Sequence, residues 1–261
     1  MKIFLSGNHS SWHVGCVAVW QRLKQLVEEM ENVELVSKLD ECDCLIINGE
    51  GSMHNNTPNA HSKLDLGKRA KDLGKQVHLV NSVWENMTSP QAEFIREFDS
   101  VVVRELNSFN EIKSIRPDAR IATDLAYDLP IIKPRLTKEY VVATADKGIR
   151  RDDESIKRIS IKDYTSWQRY IDALASAKIL YTTYHHEVIA ACKLRIPFIA
   201  RRGSTDKVLG IIQRAGANIT VVNSKREFDI CIDDPPPFEE YEKLFNFLEE
   251  QEPFSLEYLA L

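Results

Sequence analysis

The chain has 261 residues, of which 43% are hydrophobic, and a formal charge of −5 at neutral pH. That length can bury one large core or, more naturally, two domains of roughly 120 residues each. The mild acidic excess gives no sign of a dedicated nucleic-acid binder, although it is compatible with a local basic patch. Five cysteines, at 16, 42, 44, 192 and 231, are odd in number and never spaced as Cys-x-x-Cys, which argues for reduced thiols in a cytosolic compartment and against a zinc site. No run of about 18 apolar residues exists, and the opening Met1 to Gly7 turns polar too soon for a signal peptide. The expectation is a soluble, cytoplasmic protein with no membrane partner.

In chain order, Lys2 to Ser6 predicts a strand, residues 7–15 a glycine-flanked polar loop, and Cys16 to Met30 a helix with Val17, Trp20, Leu23 and Val27 on one face. A short strand near Val33 to Val36 follows. Next comes the apolar run Cys44 to Asn48, which stops at Gly49-Glu50-Gly51-Ser52. A buried parallel strand opening into a glycine loop is where small anionic or sugar ligands bind, and the first loop is expected beside it. Helices are predicted at 62–73, 89–98 and 108–114, with strands at 76–81 and 100–105 between them. The segment Arg120 to Pro130 closes the first half.

Residues 133–139, basic and proline-containing, read as a linker between an N-terminal domain, 1–132, and a C-terminal one, 140–234. The second half restarts with a strand at 140–145, then a charged loop at 146–157. Strands at 158–161, 179–183, 197–200 and 218–222 alternate with helices at 165–177, 188–194 and one ending near Ala215. Beyond Pro235 to Pro237, an amphipathic helix from Phe238 to Glu250 carries Tyr241, Leu244, Phe245 and Leu248 on one face, within a C-terminal segment 235–261 that packs back on the body. Two alternating halves predict an α/β protein with two Rossmann-like domains facing across a cleft, the GT-B-like layout of many glycosyltransferases.

Several motifs keep a recognisable order: Asn48-Gly-Glu-Gly-Ser-Met-His54, Val102-Val-Arg104-Glu105 with Ser108, Asp124-Leu-Ala-Tyr127-Asp128-Leu129, and His186 eleven residues before Pro197. Together they resemble the polysaccharide pyruvyl transferase family. The resemblance implies two Rossmann-like domains and group transfer onto a sugar hydroxyl. Two departures stand out. The family's Asn-x-Gly-Asp loop is here His13-Val-Gly15-Cys16, and the arginine of its Arg-Leu-His motif, expected to bind the carboxylate of phosphoenolpyruvate, is Tyr184. A tyrosine lacks the charged fork that a carboxylate prefers.

The remaining residues still suit transfer. His185 and His186 stand where strand becomes helix, so first-turn amides can face an anionic leaving group. With Tyr184 and the basic loop Arg201, Arg202, Gly203, Ser204 and Thr205, they make the candidate donor site. Glu50 is the first choice of base, with Asp124 as its alternative and His186 beside the leaving group. His9, Trp12, His13, Gly49, Gly51, Ser52, His54, Arg104 and Tyr127 are acceptor-binding candidates, and Trp84 is a further aromatic that could stack on a ring. Arg104 and Glu105 also read as an ion pair.

No metal and no cofactor are expected; Asp152-Asp153 sits in a charged loop. The small-molecule donor is expected to be a nucleotide-activated sugar and the acceptor a saccharide hydroxyl, or hydroxylated DNA contacted by Lys133, Arg135, Lys147, Arg150 and Arg151. Phosphoenolpyruvate-dependent ketal formation is the alternative, and a non-catalytic ligand-binding member of the same fold a further one. The oligomeric state is left open.

Overall fold

A computed structural model describes residues 1–7, 13–144, 156–231 and 234–259. The chain packs as two compact units, the first from Met1–Asn8, Trp20–Leu125 and Glu252–Leu261, the second from His9–Val19 and Ala126–Gln251.

The first unit contains a six-stranded sheet of β1 (Lys2–Ser6), β2 (Glu34–Val36), β3 (Cys44–Glu50), β4 (Gln76–Ser82), β5 (Ser100–Val103) and β6 (Arg120–Ile121), in the order β2-β1-β3-β4-β5-β6. Every described pairing is parallel, with Phe4 opposite Leu45 and Ile47 opposite Leu79. All seven residues of β3 are buried, as expected of a central strand covered on both faces. The order reverses direction between β1 and β3, so their carboxyl ends lie side by side at a topological switch point.

α1 (Val14–Glu28), α2 (Pro58–Asp72) and α3 (Leu106–Lys113) connect these strands, with a 3-10 segment at Pro90–Glu97. One face of the sheet, through Leu45, Ile47, Leu79 and Val103, packs with Leu64, Trp84, Ile95 and Phe98. Gly67 of α2 lets the Phe98 ring approach; a Cβ there would lie 2.1 Å from its Cζ. α2 starts four residues before the expected Ser62. Thr57 caps it by accepting from the amide of Ala60 at 3.3 Å, and Pro58 takes the first position, where its missing N–H costs nothing.

The second unit has a five-stranded parallel sheet of β7 (Tyr140–Thr144), β8 (Ile156–Ile159), β9 (Ala177–Thr182), β10 (Phe198–Arg201) and β11 (Val221–Val222), in the order β11-β10-β9-β7-β8. Counted from β7, this repeats the order of the first sheet, with its switch point between β7 and β9. Its helices are α5 (Trp167–Leu174), α6 (His185–Leu194), α7 (Lys207–Arg214), α8 (Lys225–Cys231) and α9 (Phe238–Glu250); a short α4 (Leu125–Asp128) bridges the unit boundary in sequence.

The compact units divide at different places from the expected domains. Residues 133–139 are not a free linker: the amides of Thr137, Glu139 and Tyr140 donate to the carbonyls of Ala175 and Ser176 at 2.8–3.1 Å. α9 occupies the predicted residues and packs on its own unit, its Tyr241 hydroxyl donating to the Phe198 carbonyl at 2.5 Å. Only the tail beyond it joins the first unit. There Phe254, Leu256 and Leu259 are buried, the Thr123 hydroxyl meets the Glu252 carbonyl at 3.4 Å, and Arg120 lies 5.4 Å from the Tyr258 ring. Among the described residues, no helix is long and apolar enough to cross a membrane.

Candidate functional site

The carboxyl edge of the first sheet gathers polar groups that a buried edge ordinarily lacks. Gly49 faces Ser82, and a Cβ on it would lie 2.2 Å from the Ser82 hydroxyl, so this position must be glycine. The next residue, Glu50, takes φ of 44°, a conformation that costs a non-glycine residue about 1–3 kcal/mol and concentrates at functional sites. Its carboxylate is buried and accepts from the Asn48 amide at 2.9 Å, while its backbone carbonyl accepts from Val83 at 2.8 Å. Lys63, from α2, donates to the carbonyls of Asn48 and Gly49 at 2.5 and 3.1 Å, placing an ammonium group under the strand end.

β4 bulges at the same level. Three steps from Leu79 to Ser82 pair with two from Val101 to Val103, and Asn81 sits at φ of 51°. A bulge re-aims a side chain. Here it turns Asn81 to the face that Asn48 and Arg104 share, and its carbonyl oxygen accepts from the amide of Leu125 at 3.1 Å. Arg104 and Asp124 form a buried ion pair at 2.6 Å with 2% and 0% side-chain exposure. Glu105 does not pair with Arg104. It caps α3 by accepting from the amides of Asn107 and Ser108 at 2.7 and 2.8 Å, and burial pushes its carboxyl above the ordinary range.

In the second unit, β9 ends at Thr182 and α6 begins at His185, at the switch point. Tyr184 is the N-cap residue and its side chain makes no capping bond; amides at a helix start carry a partial positive charge. Glu187 in this turn is fully buried, accepting from the Thr182 hydroxyl and from the Ile161 amide at 3.0 Å, which ties α6 to the segment after β8. His13 packs against this turn, its ring 5.2 Å from that of His186 and 6.1 Å from that of Tyr184. Gly15 makes the approach possible, since a Cβ there would lie 2.4 Å from the His186 Cβ.

The ligand atoms of His13, Cys16 and His186 lie within 4.8 Å of one another, a spacing a metal could span. The hydrogen bonds argue otherwise. His13 Nδ1 accepts from the amides of Gly15 and Cys16 at 3.1 and 3.3 Å, so the proton of the neutral ring is on Nε2, which faces the Cys16 sulfur at 3.6 Å. The ring is a hydrogen-bond donor held in one tautomer, and it has no lone pair to give a cation.

The remaining expected residues divide clearly. Arg202 is locked to Asp206 by two bonds of 2.6 Å, Gly203 and Ser204 are exposed, and Thr205 is buried. Arg201, half-buried at the end of β10, has no acidic partner among the described residues. Asp124 is committed to its ion pair with Arg104. His13 and Tyr127, expected on the acceptor side, belong to the second unit, where the Lys193 ammonium contacts the Tyr127 carbonyl and lies 5.2 Å from its ring. Trp84 is a core residue, 1% exposed. Gly51 and Ser52 are half-buried, the Ser52 hydroxyl donating to the Gly49 carbonyl at 2.7 Å; His54 contacts Asn55 at 3.0 Å. Lys133 and Arg135 are exposed, whereas His9, Trp12, Lys147, Arg150, Arg151 and Asp152-Asp153 lie outside the described residues. Asn48, Lys63, Asn81 and Glu187 escaped sequence reasoning; an asparagine ending each of two apolar strands was the available signal.

Two parallel sheets of the same order, each with polar residues at its switch point, define an α/β protein of two compact units. Residues 9–220 match the family profile described as polysaccharide pyruvyl transferase, and the chain belongs to that family, hence to the transferases. No curated protein matches it. Among solved structures, it is similar to a functionally uncharacterised protein from Klebsiella pneumoniae subsp. pneumoniae, with 17% identity and a TM-score of 0.62 over 85% of this chain and 92% of the other. It is also similar to a candidate UDP-N-acetylglucosamine 2-epimerase from Listeria monocytogenes, with 10% identity and a TM-score of 0.58 over 99% and 93%. At these identities the likeness is one of fold.

Proposed function

We propose that this protein transfers a glycosyl group from a nucleotide-activated sugar to a saccharide hydroxyl, in a GT-B-like version of the family fold. The observation that carries the reading is the start of α6: a helix N-terminus without a side-chain cap, at a switch point, bearing His185 and His186 and a tyrosine where the family's carboxylate-binding arginine is expected. Helix-start amides suit a phosphate. A carboxylate would need a cationic fork, and Arg202 is already spent on Asp206.

In the reaction, Glu50 takes the proton of the acceptor hydroxyl as that oxygen bonds to the anomeric carbon. The bond from that carbon to the donor phosphate breaks, and the electron pair leaves with the phosphate. Within the second unit, the α6 amides, His186 and Arg201 are the groups suited to holding a phosphate. A second reading rests on family membership itself: phosphoenolpyruvate as donor, its pyruvyl group forming a ketal, with Arg201 as the cation for its carboxylate.

Thermal-shift and calorimetric titration against UDP, CMP, GDP, ADP and phosphoenolpyruvate separates the two. At a hundred times its dissociation constant, a ligand adds about 2.7 kcal/mol of stability. A nucleotide that binds wild type but not Arg201→Ala supports glycosyl transfer; phosphoenolpyruvate binding alone moves the assignment to pyruvyl transfer; no binding of any of them refutes both. Glu50→Gln is expected to keep donor binding and lose about 10²- to 10⁴-fold in turnover.

A further inference from the structure

We infer that the second unit carries a face that docks on an anionic phospholipid surface, through Lys133, Arg135, Lys138, Lys157 and Lys178, with Ile132 and Tyr140 as its apolar contacts. None of these residues belongs to the site of the proposed transfer, and the docking does not depend on that reading.

The face is built on a strap, residues 131–140, that runs along α5. Gln168 holds one end, accepting from the Ile132 amide at 2.9 Å and donating to the Ile132 carbonyl at 2.7 Å. The amides of Thr137, Glu139 and Tyr140 hold the other end against the carbonyls of Ala175 and Ser176. Between the ends, Pro134 and Leu136 are half-buried while Lys133, Arg135 and Thr137 are exposed, the alternation of an extended segment with one side to solvent. Lys138 takes φ of 56°, a conformation that residues with a side chain rarely adopt. Both amides flanking it reach α5, and Lys138 itself stays exposed.

The sheet adds two more ammonium groups at the same end. Val141 packs with Ile156 and Ile179 on one face, so Tyr140 and Lys157, each one residue away on β7 and β8, turn to the other. There Lys157 donates to the Ser176 hydroxyl at 3.1 Å and lies 5.7 Å from the Tyr140 ring. Lys178 is the extra residue of a bulge in β9, between the pairing of Tyr140 with Ala177 and that of Val141 with Ile179, and it is exposed.

None of the five cations has an acidic partner among the described residues. Elsewhere Lys24 pairs with Glu28 at 3.4 Å, Lys71 with Asp99 at 2.9 Å and Arg195 with Glu249 at 2.9 Å. The exposed carboxylates of the strap and of α5 are Glu139 and Asp172, and Asp172 already accepts from Gln168 at 2.8 Å. On a chain of net charge −5, this positive face is a local departure that calls for an anionic partner. Clusters of about 4–8 basic residues are drawn to anionic lipid headgroups. A nucleic-acid backbone would attract them too, but it has no use for Ile132, which is 79% exposed. At a bilayer interface an aliphatic side chain enters the acyl boundary, and a tyrosine such as half-exposed Tyr140 sits at headgroup level. Expecting no membrane partner rests on the lack of a long apolar run, which bears on spanning a membrane and not on lying against one.

The test is vesicle flotation of the full chain, with phosphatidylcholine alone and with phosphatidylcholine and phosphatidylglycerol in equal parts. Binding is expected only to the anionic vesicles, weakening about tenfold or more as salt rises from about 50 to about 500 mM. Lys138→Glu with Lys178→Glu should weaken it about 10²-fold or more, and Ile132→Asp about tenfold, each variant first checked for an intact unfolding transition. Should the first pair fail to fold, Lys133→Glu with Arg135→Glu removes charge from the same face and carries the same expectation. A DNA duplex and a single-stranded RNA are titrated in parallel. No binding to the anionic vesicles, equal binding to both kinds, binding that either class of variant leaves unchanged, or tighter binding to a nucleic acid than to the vesicles overturns the inference.

Discussion

Acidification should destabilise the first unit through His78, in a pH range separate from that of its carboxylates. His78 lies on β4 with no exposed surface, its Nδ1 2.8 Å from the Ser100 hydroxyl, and burial pushes its pKa down from 6.5 to about 4, against the pull of Asp99. A group with a depressed folded pKa binds its proton more readily when unfolded, so the stabilisation is complete above the unfolded value of about 6.5 and is lost as pH falls toward about 4. The span of about 2.5 units at 1.36 kcal/mol each amounts to about 3 kcal/mol, with a slope approaching about 1.4 kcal/mol per pH unit. Asp99, which Lys71 and the Val77 amide hold below its ordinary value against the effect of burial, loses its contribution at lower pH, as the unfolded carboxyl titrates. Glu105, raised by burial, opposes the trend near its own titration. The comparison is therefore differential: urea unfolding at pH 7.5, 6.5, 5.5 and 4.5 of wild type and His78→Gln. The variant, with nothing to titrate at this position, should lose stability less steeply, by about 2.5 kcal/mol between pH 7.5 and 4.5. Equal slopes for the two proteins would refute the reasoning.

Three further outcomes follow from the packing. Gly15→Ala would add about 0.5–1 kcal/mol in an unconstrained helix, but its methyl would meet His186 atoms at 2.4 and 2.6 Å, and overpacking of that kind costs about 1–3 kcal/mol. Net destabilisation with loss of donor binding is expected in thermal unfolding and calorimetry; a stabilised, fully active protein would show that the His13–His186 contact does not matter. Arg104→Ala leaves Asp124 buried and uncompensated and should cost about 3–5 kcal/mol by urea denaturation, whereas Arg104→Met with Asp124→Leu should recover most of it. In thiol titration at pH 8, half-buried Cys231 should react first. Cys44, pushed up to about 12 by burial, and Cys192, raised by complete burial, should react only after unfolding.

Much of this fold is legible in sequence because its strands are short apolar runs ended by polar or glycine residues, and its helices repeat at three and four. The Cys44 strand, the Gly74 stop after α2 and α9 from Phe238 to Glu250 follow from local composition alone. Two elements differ from the predicted ones: Thr57-Pro58 begins α2 before Ser62, and the helix Lys225–Cys231 lies outside the predicted helices. The family resemblance, read from motifs spread along the chain, is confirmed over residues 9–220. The site is another matter, because its decisive partners are distant in sequence. Arg104 finds Asp124 rather than adjacent Glu105, and Glu105 turns to its own helix instead, because a strand end directs successive side chains to opposite faces. Local sequence specifies which residues can end a strand; only the packed sheet decides that a bulge turns Asn81 beside Asn48, that Lys63 pins the Gly49 loop, and that His13 joins the second unit through Gly15. Those choices depend on register and close approach, which arise when strands pair and helices dock, and no window of neighbouring residues contains them.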